Sequence, residues 1–124
     1  MKMMLPTLFA LFILPVAAQA QTTLLTVTSS RIREGSKGGY GKVQVLSHPL
    51  EITKKLDEKG AYVEFKGAKH YVSYTTGNET CLVLGLEQNG IVILVRKPNE
   101  VHLSFPAENL SLLLENCTYL ESND

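Results

Sequence analysis

The sequence has no tryptophan, two cysteines and three histidines in 124 residues, and its 12 Lys and Arg balance 12 Asp and Glu. Each shortage removes a class of function. His48, His70 and His102 show no H-x-H or H-x-x-x-H spacing and no cysteine completes a zinc set, so no metal site is expected. Two cysteines without C-x-x-C exclude both a multi-bridge scaffold and a dithiol redox centre. Balanced charge leaves no electrostatic footprint for nucleic acid. Nothing matches G-x-S-x-G, G-x-x-x-x-G-K-[ST] or G-x-G-x-x-G, so no catalytic residue and no cofactor is nominated. A small hydrolase is the least favoured reading. Its best carboxylate pair, Asp57-Glu58, lies in a lysine-rich turn with nothing to tune it for acid–base work.

There is one long apolar run, over residues 5–16, too short to span a bilayer comfortably. It follows Met1-Lys2-Met3-Met4 and precedes Ala18-Gln19-Ala20, the layout of a cleaved signal peptide. We expect residues 1–20 to be removed and residues 21–124 to form one exported β-rich domain, periplasmic or extracellular. The short Lys-started leader with A-x-A reads as bacterial. The sequons at Asn78, Asn109 and Asn116 matter only in a eukaryotic secretory route. No second membrane segment follows. Without Lys2 the balance is 11 basic against 12 acidic side chains. Residues 31–69 hold nine Lys/Arg and five Asp/Glu, and residues 70–124 hold two and seven. Such asymmetry can orient a charged partner if it survives folding.

What is abundant is alternation. Residues 81–96 place two apolar runs around Asn89-Gly90, the pair favoured in a two-residue type I′ hairpin. That loop would set Leu86 opposite Ile93 and Leu84 opposite Val95. Leu82, Leu84, Leu86, Ile91, Ile93 and Val95 would then share one face, with Cys81, Val83, Gly85, Val92, Leu94 and Arg96 on the other. Neither face is polar, as expected of a hairpin covered on both sides.

Around it, residues 22–33 read as a first strand, residues 34–41 as a glycine-rich loop and residues 42–46 as a short strand stopped by His48-Pro49. Residues 50–60 read as polar and end in a turn glycine. Residues 61–96 read as a four-strand antiparallel meander, and Val101, Leu103 and Phe105 as a fifth strand. In the tail, Leu110, Leu113, Leu114 and Cys117 have helical spacing while Leu110, Leu112 and Leu114 alternate. Either a short C-terminal helix or a strand fits, with a last strand near residues 118–120. The fold expected is mainly β, a single small antiparallel meander closed into a barrel or sandwich. Cys81 and Cys117, in an exported domain, are expected to form a disulfide, contributing about 3–4 kcal/mol on a chain-entropy argument.

The most suggestive surface lies in residues 31–42, where Arg31, Arg33, Lys37, Tyr40 and Lys42 sit on flexible backbone suited to an anion or an acidic patch. The reading that follows is a non-catalytic, inhibitor-like binding protein that engages another protein or a cell-envelope component through these residues or an exposed sheet edge. A carrier of a small apolar ligand is the alternative, with Tyr62, Phe65, Tyr71, Tyr74 and Phe105 lining a barrel pocket.

Overall fold

The computed structural model describes residues 22–36 and 38–122. The expected leader and cleavage point, and Lys37 of the candidate surface, lie outside the described residues. Ten strands are present among those described: β1 (Thr22–Ser36), β2 (Gly39–Tyr40), β3 (Gln44–Asp57), β4 (Gly60–Phe65), β5 (Ala68–Gly77), β6 (Cys81–Leu86), β7 (Ile91–Val95), β8 (Glu100–Phe105), β9 (Leu110–Glu115) and β10 (Thr118–Glu121). Strands β1 and β3 to β9 follow one another as antiparallel neighbours, and β9 returns to pair with β1. The result is a closed eight-stranded antiparallel barrel with β2 and β10 added to β1. Closure removes the long open edges that an up-and-down sheet would otherwise present.

The interior is aliphatic. Val27, Ile52, Val63, Leu84, Val92, Val101, Leu103, Leu112 and Leu114 are each at most 3% exposed. Phe65 stacks on Phe105 at 5.7 Å between ring centroids among them. Burial of side chains this size is worth roughly 1.5–3 kcal/mol apiece before entropy, enough for the core to dictate which face of every strand points inward.

Strand β1 serves two neighbours on one edge. Leu25 to Thr28 pair with β10, whereas Arg31 to Glu34 pair with β9. The change of partner occurs at a bulge, and the buried Ser29 hydroxyl satisfies it. Ser29 Oγ lies 2.9 Å from the Arg31 carbonyl, accepts the Arg31 N–H at 3.1 Å and also bonds the Glu115 carbonyl. On the other edge the ladder jumps from Ser29↔Leu50 to Arg31↔Val45. Residues 46–49 therefore bulge out of the pairing, so Pro49 is never asked for an N–H. This corrects two expectations: His48-Pro49 does not stop the strand, and residues 50–57 are not a polar connection but the better-paired half of β3.

The hairpin of β6 and β7 also departs from expectation. Gly85 pairs with Ile91, Leu84 with Val92 and Leu82 with Leu94. Glu87–Asn89 form one 3-10 turn, with Gln88 and Asn89 both left-handed (φ 58° and 64°) and Gly90 extended at φ −70°. Asn89-Gly90 is thus not a two-residue turn. Gly90 is glycine for space instead, since a side chain there would meet Phe105 and Leu86 at 3.2 and 3.3 Å. The longer loop reverses the face of β7, sending Val92 and Leu94 inward with Leu82, Leu84 and Leu86, and Ile91, Ile93 and Val95 outward. A tight two-residue loop with φ > 0 at both positions does occur, at Lys66-Gly67 between β4 and β5.

In the tail, Pro106–Glu108 make a single 3-10 turn and Leu110–Glu115 continue as strand β9, not as a helix. Ring closure decides this, because β9 supplies Leu112 and Leu114 to the interior while pairing with both β8 and β1. The expected disulfide is absent: Cys81 and Cys117 are both free. Cys81 is exposed at the start of β6, whereas Cys117 is buried in the core beyond the end of β9. Strands β7 and β8 separate β6 from β9, and one thiol is exposed while the other is packed in the core.

Candidate functional site

Because side chains alternate along a strand, the inward Ile32 leaves Arg31, Arg33 and Gly35 on the outer wall of β1. The registers then decide what these residues meet. Arg31 pairs with Glu115 and Arg33 with Leu113, while His102 on β8 also pairs with Leu113. Arg33 Nε donates to Glu115 Oε2 at 3.0 Å, and Arg31 Nε lies 3.9 Å from the other carboxylate oxygen. Arg33 Nη1 donates to the Gly41 carbonyl at 3.0 Å. One arginine thus ties the chain after β2 back to the β9 wall. The pair is about a third exposed at Arg33, so it contributes up to about 1 kcal/mol and chiefly fixes geometry.

Tyr40 completes the patch. It pairs with Gly35 across the β1–β2 hairpin. Since Gly35 has no side chain, the Tyr40 ring can cross it: a Cβ there would lie 3.1 Å from the ring and 2.5 Å from Ser111 Oγ. The Tyr40 hydroxyl reaches His102 Nδ1 at 3.1 Å, with the rings edge-on at 5.9 Å. His102 Nε2 lies 3.7 Å from Glu100 Oε1. Tyr40 nevertheless remains 42% exposed. Just beyond it, Gly35, Ser36, Ser104, Pro106, Asn109, Leu110 and Ser111 line a shallow groove.

Of the residues singled out from sequence, Arg31, Arg33 and Tyr40 are brought together, joined by Glu115, His102 and Glu100. Lys42 is exposed and makes no ion pair among the described residues. Part of the charge asymmetry of the two sequence halves cancels here, where Arg31 and Arg33 of the basic half meet Glu115 of the acidic one. His102, Glu115, Ser104 and Ser111 were not legible as part of this surface, because they meet Arg33 and Tyr40 only through the β1–β9 closure. The sequence signal for His102 and Ser104 was outward polarity in β8, where Glu100, His102 and Ser104 alternate with Val101, Leu103 and Phe105.

A second polar cluster lies outside β3, β4 and β5. Tyr71 Oη donates to Asp57 Oδ2 at 2.7 Å, and Lys69 Nζ and the Lys59 N–H also reach that carboxylate, at 3.4 and 2.8 Å. The Tyr71 bond holds Asp57 below the usual carboxylate range, and Asp57 in turn pushes Tyr71 up to about 12. Such a pair stays ionised at Asp57 and protonated at Tyr71 around neutral pH, so it works as a brace. Lys55 is braced likewise, its pKa raised by Glu64 at 2.7 Å.

The five aromatics offered as a pocket lining do not share one cavity. Phe65 and Phe105 stack on each other, whereas Tyr62 is fully buried against the half-buried Tyr71 and the half-exposed Tyr74 lies on Gly85. His70 stacks on Phe105 at 4.4 Å, His48 is exposed on β3, and among the described residues no three His, Cys, Asp or Glu side chains gather as metal ligands.

The molecule is therefore a small all-β barrel with a packed apolar interior and an ordered polar and aromatic patch on its outer wall. No family model, no curated protein and no solved structure matches the chain.

Proposed function

We propose that the protein is an exported, non-catalytic binding protein whose contact surface is the outer wall around Tyr40. One observation carries this reading. Tyr40 is a large aromatic left 42% exposed although its hydroxyl and backbone are held, by His102 and by the hairpin that Arg33 anchors at Gly41. A pre-organised amphipathic ring loses little conformational entropy on binding, which is the character of an interface anchor. The apolar leader over residues 1–20 supports an address outside the cytoplasm.

The test compares the purified protein with its Tyr40→Ala and Arg33→Ala variants as immobilised bait for material from the exported fraction, across a salt series. The expected result is a species retained by the native protein, weakened as salt rises and lost on both variants. Retention that ignores both substitutions, or no retained species at any salt, overturns the assignment of this surface.

A further inference from the structure

We propose that the groove beside Tyr40, between the ends of β1, β8 and β9, is a binding site for a neutral oligosaccharide. This rests on the binding-protein reading above and names the ligand class. Ser104 and Ser111 are direct cross-strand partners, and both face the groove from the outer wall. Neither hydroxyl has a protein hydrogen-bond partner among the described residues. Asn109 closes one end on a left-handed residue (φ 53°), its N–H bound to the Pro106 carbonyl at 3.0 Å, and its side-chain amide is likewise unpaired. Two hydroxyls and an amide thus converge on one space, each able both to donate and to accept.

The walls suit the same ligand. No charged side chain is among the groove's described lining residues. Pro106 and Leu110 supply apolar surface, and the exposed Tyr40 ring stands at the rim against Gly35. A sugar ring has hydroxyl edges and C–H faces, and needs bidirectional hydrogen bonding on one side with an apolar or aromatic surface on the other. The space, about 260 Å³, falls below the roughly 300 Å³ at which enclosed small-molecule pockets begin. It matches one ring of a chain that continues across Tyr40 better than it matches a buried ligand. Gly35 is part of the device, because any side chain there would strike Ser111 and push Tyr40 from the rim.

The test is titration of the ¹⁵N-labelled protein with cellotetraose, chitotetraose, maltotetraose and mannotetraose, read by amide chemical shifts. The expected result is saturable shifts from at least one sugar, confined to Ser36, Tyr40, Ser104, Asn109, Leu110 and Ser111. Ser104→Ala and Ser111→Ala should each weaken that binding by about threefold to tenfold, the effect of one lost hydrogen bond. Their unliganded spectra, unchanged away from the groove, would show that both variants fold. Absence of localised shifts with all four sugars, or binding that both serine variants leave intact, overturns the proposal. If in that case the bait experiment still retains a Tyr40-dependent species, the ligand class alone was wrong; if it retains nothing, the binding-protein reading falls as well.

Discussion

Cys81 and Cys117 differ in burial, one exposed at the head of β6 and the other packed in the core with Sγ 3.4 Å from the Leu114 carbonyl. Burial pushes the Cys117 thiol up to about 11, which removes nearly all thiolate at neutral pH. A thiol-specific chromogenic reagent should accordingly titrate one thiol per folded chain and two after denaturation. A count of zero in denaturant would mean that the two are bridged.

Tyr62 is fully buried, yet its hydroxyl has no hydrogen-bond partner among the described residues. Its ring is held between Tyr71, at 5.4 Å, and the Lys69 ammonium, 4.6 Å above its centroid. Removing an unpaired buried hydroxyl while keeping the ring should cost nothing, so Tyr62→Phe is expected to be neutral or more stable by up to about 1–3 kcal/mol. Urea denaturation measures this, and a loss above about 1 kcal/mol would show that the hydroxyl has a partner.

Tyr119 does the opposite. Its hydroxyl lies 3.0 Å from both the Val95 and the Glu100 carbonyl oxygens, so one proton is shared between the two ends of the β7–β8 turn. Arg96 covers the ring at 4.6 Å. Tyr119→Phe should lose about 1–2 kcal/mol in the same assay, since two carbonyls lose their donor.

The Asp57–Tyr71 brace makes stability depend on pH at both extremes. Asp57 titrates lower folded than unfolded, so its contribution is present above the unfolded value near 3.9 and is lost as pH falls through the folded one. The stability gap between native protein and Asp57→Asn should therefore shrink on acidification below about pH 4. Tyr71, raised to about 12, contributes below pH 10 and loses that contribution as pH climbs through 12. Phenolate absorbance should show a late component near pH 12 that shrinks in Tyr71→Phe without vanishing, because burial pushes Tyr119 up to about 12 as well.

How far the sequence could be read depended on whether one face of a segment was polar. In β8, Val101, Leu103 and Phe105 alternate with Glu100, His102 and Ser104, so both the strand and its inward face were legible. Strands β6 and β7 are apolar on both faces, and either register buries large aliphatic side chains. There the pattern was degenerate, and the local Asn89-Gly90 signal pointed to the wrong loop. A register moved by an odd number of residues exchanges the faces of a strand, which is why Ile93 lies outside and Val92 inside.

The sequence by itself determined that this is a β protein of antiparallel strands, because period-two alternation and turn residues act within a few positions of one another. Tertiary structure alone decided that the sheet closes, that Leu110–Glu115 is a strand, that the cysteines stay apart, and that Tyr40 meets His102 across 62 positions. These outcomes depend on long-range pairing of β1 with β9. That pairing is selected by burying a common aliphatic interior, which no local pattern specifies.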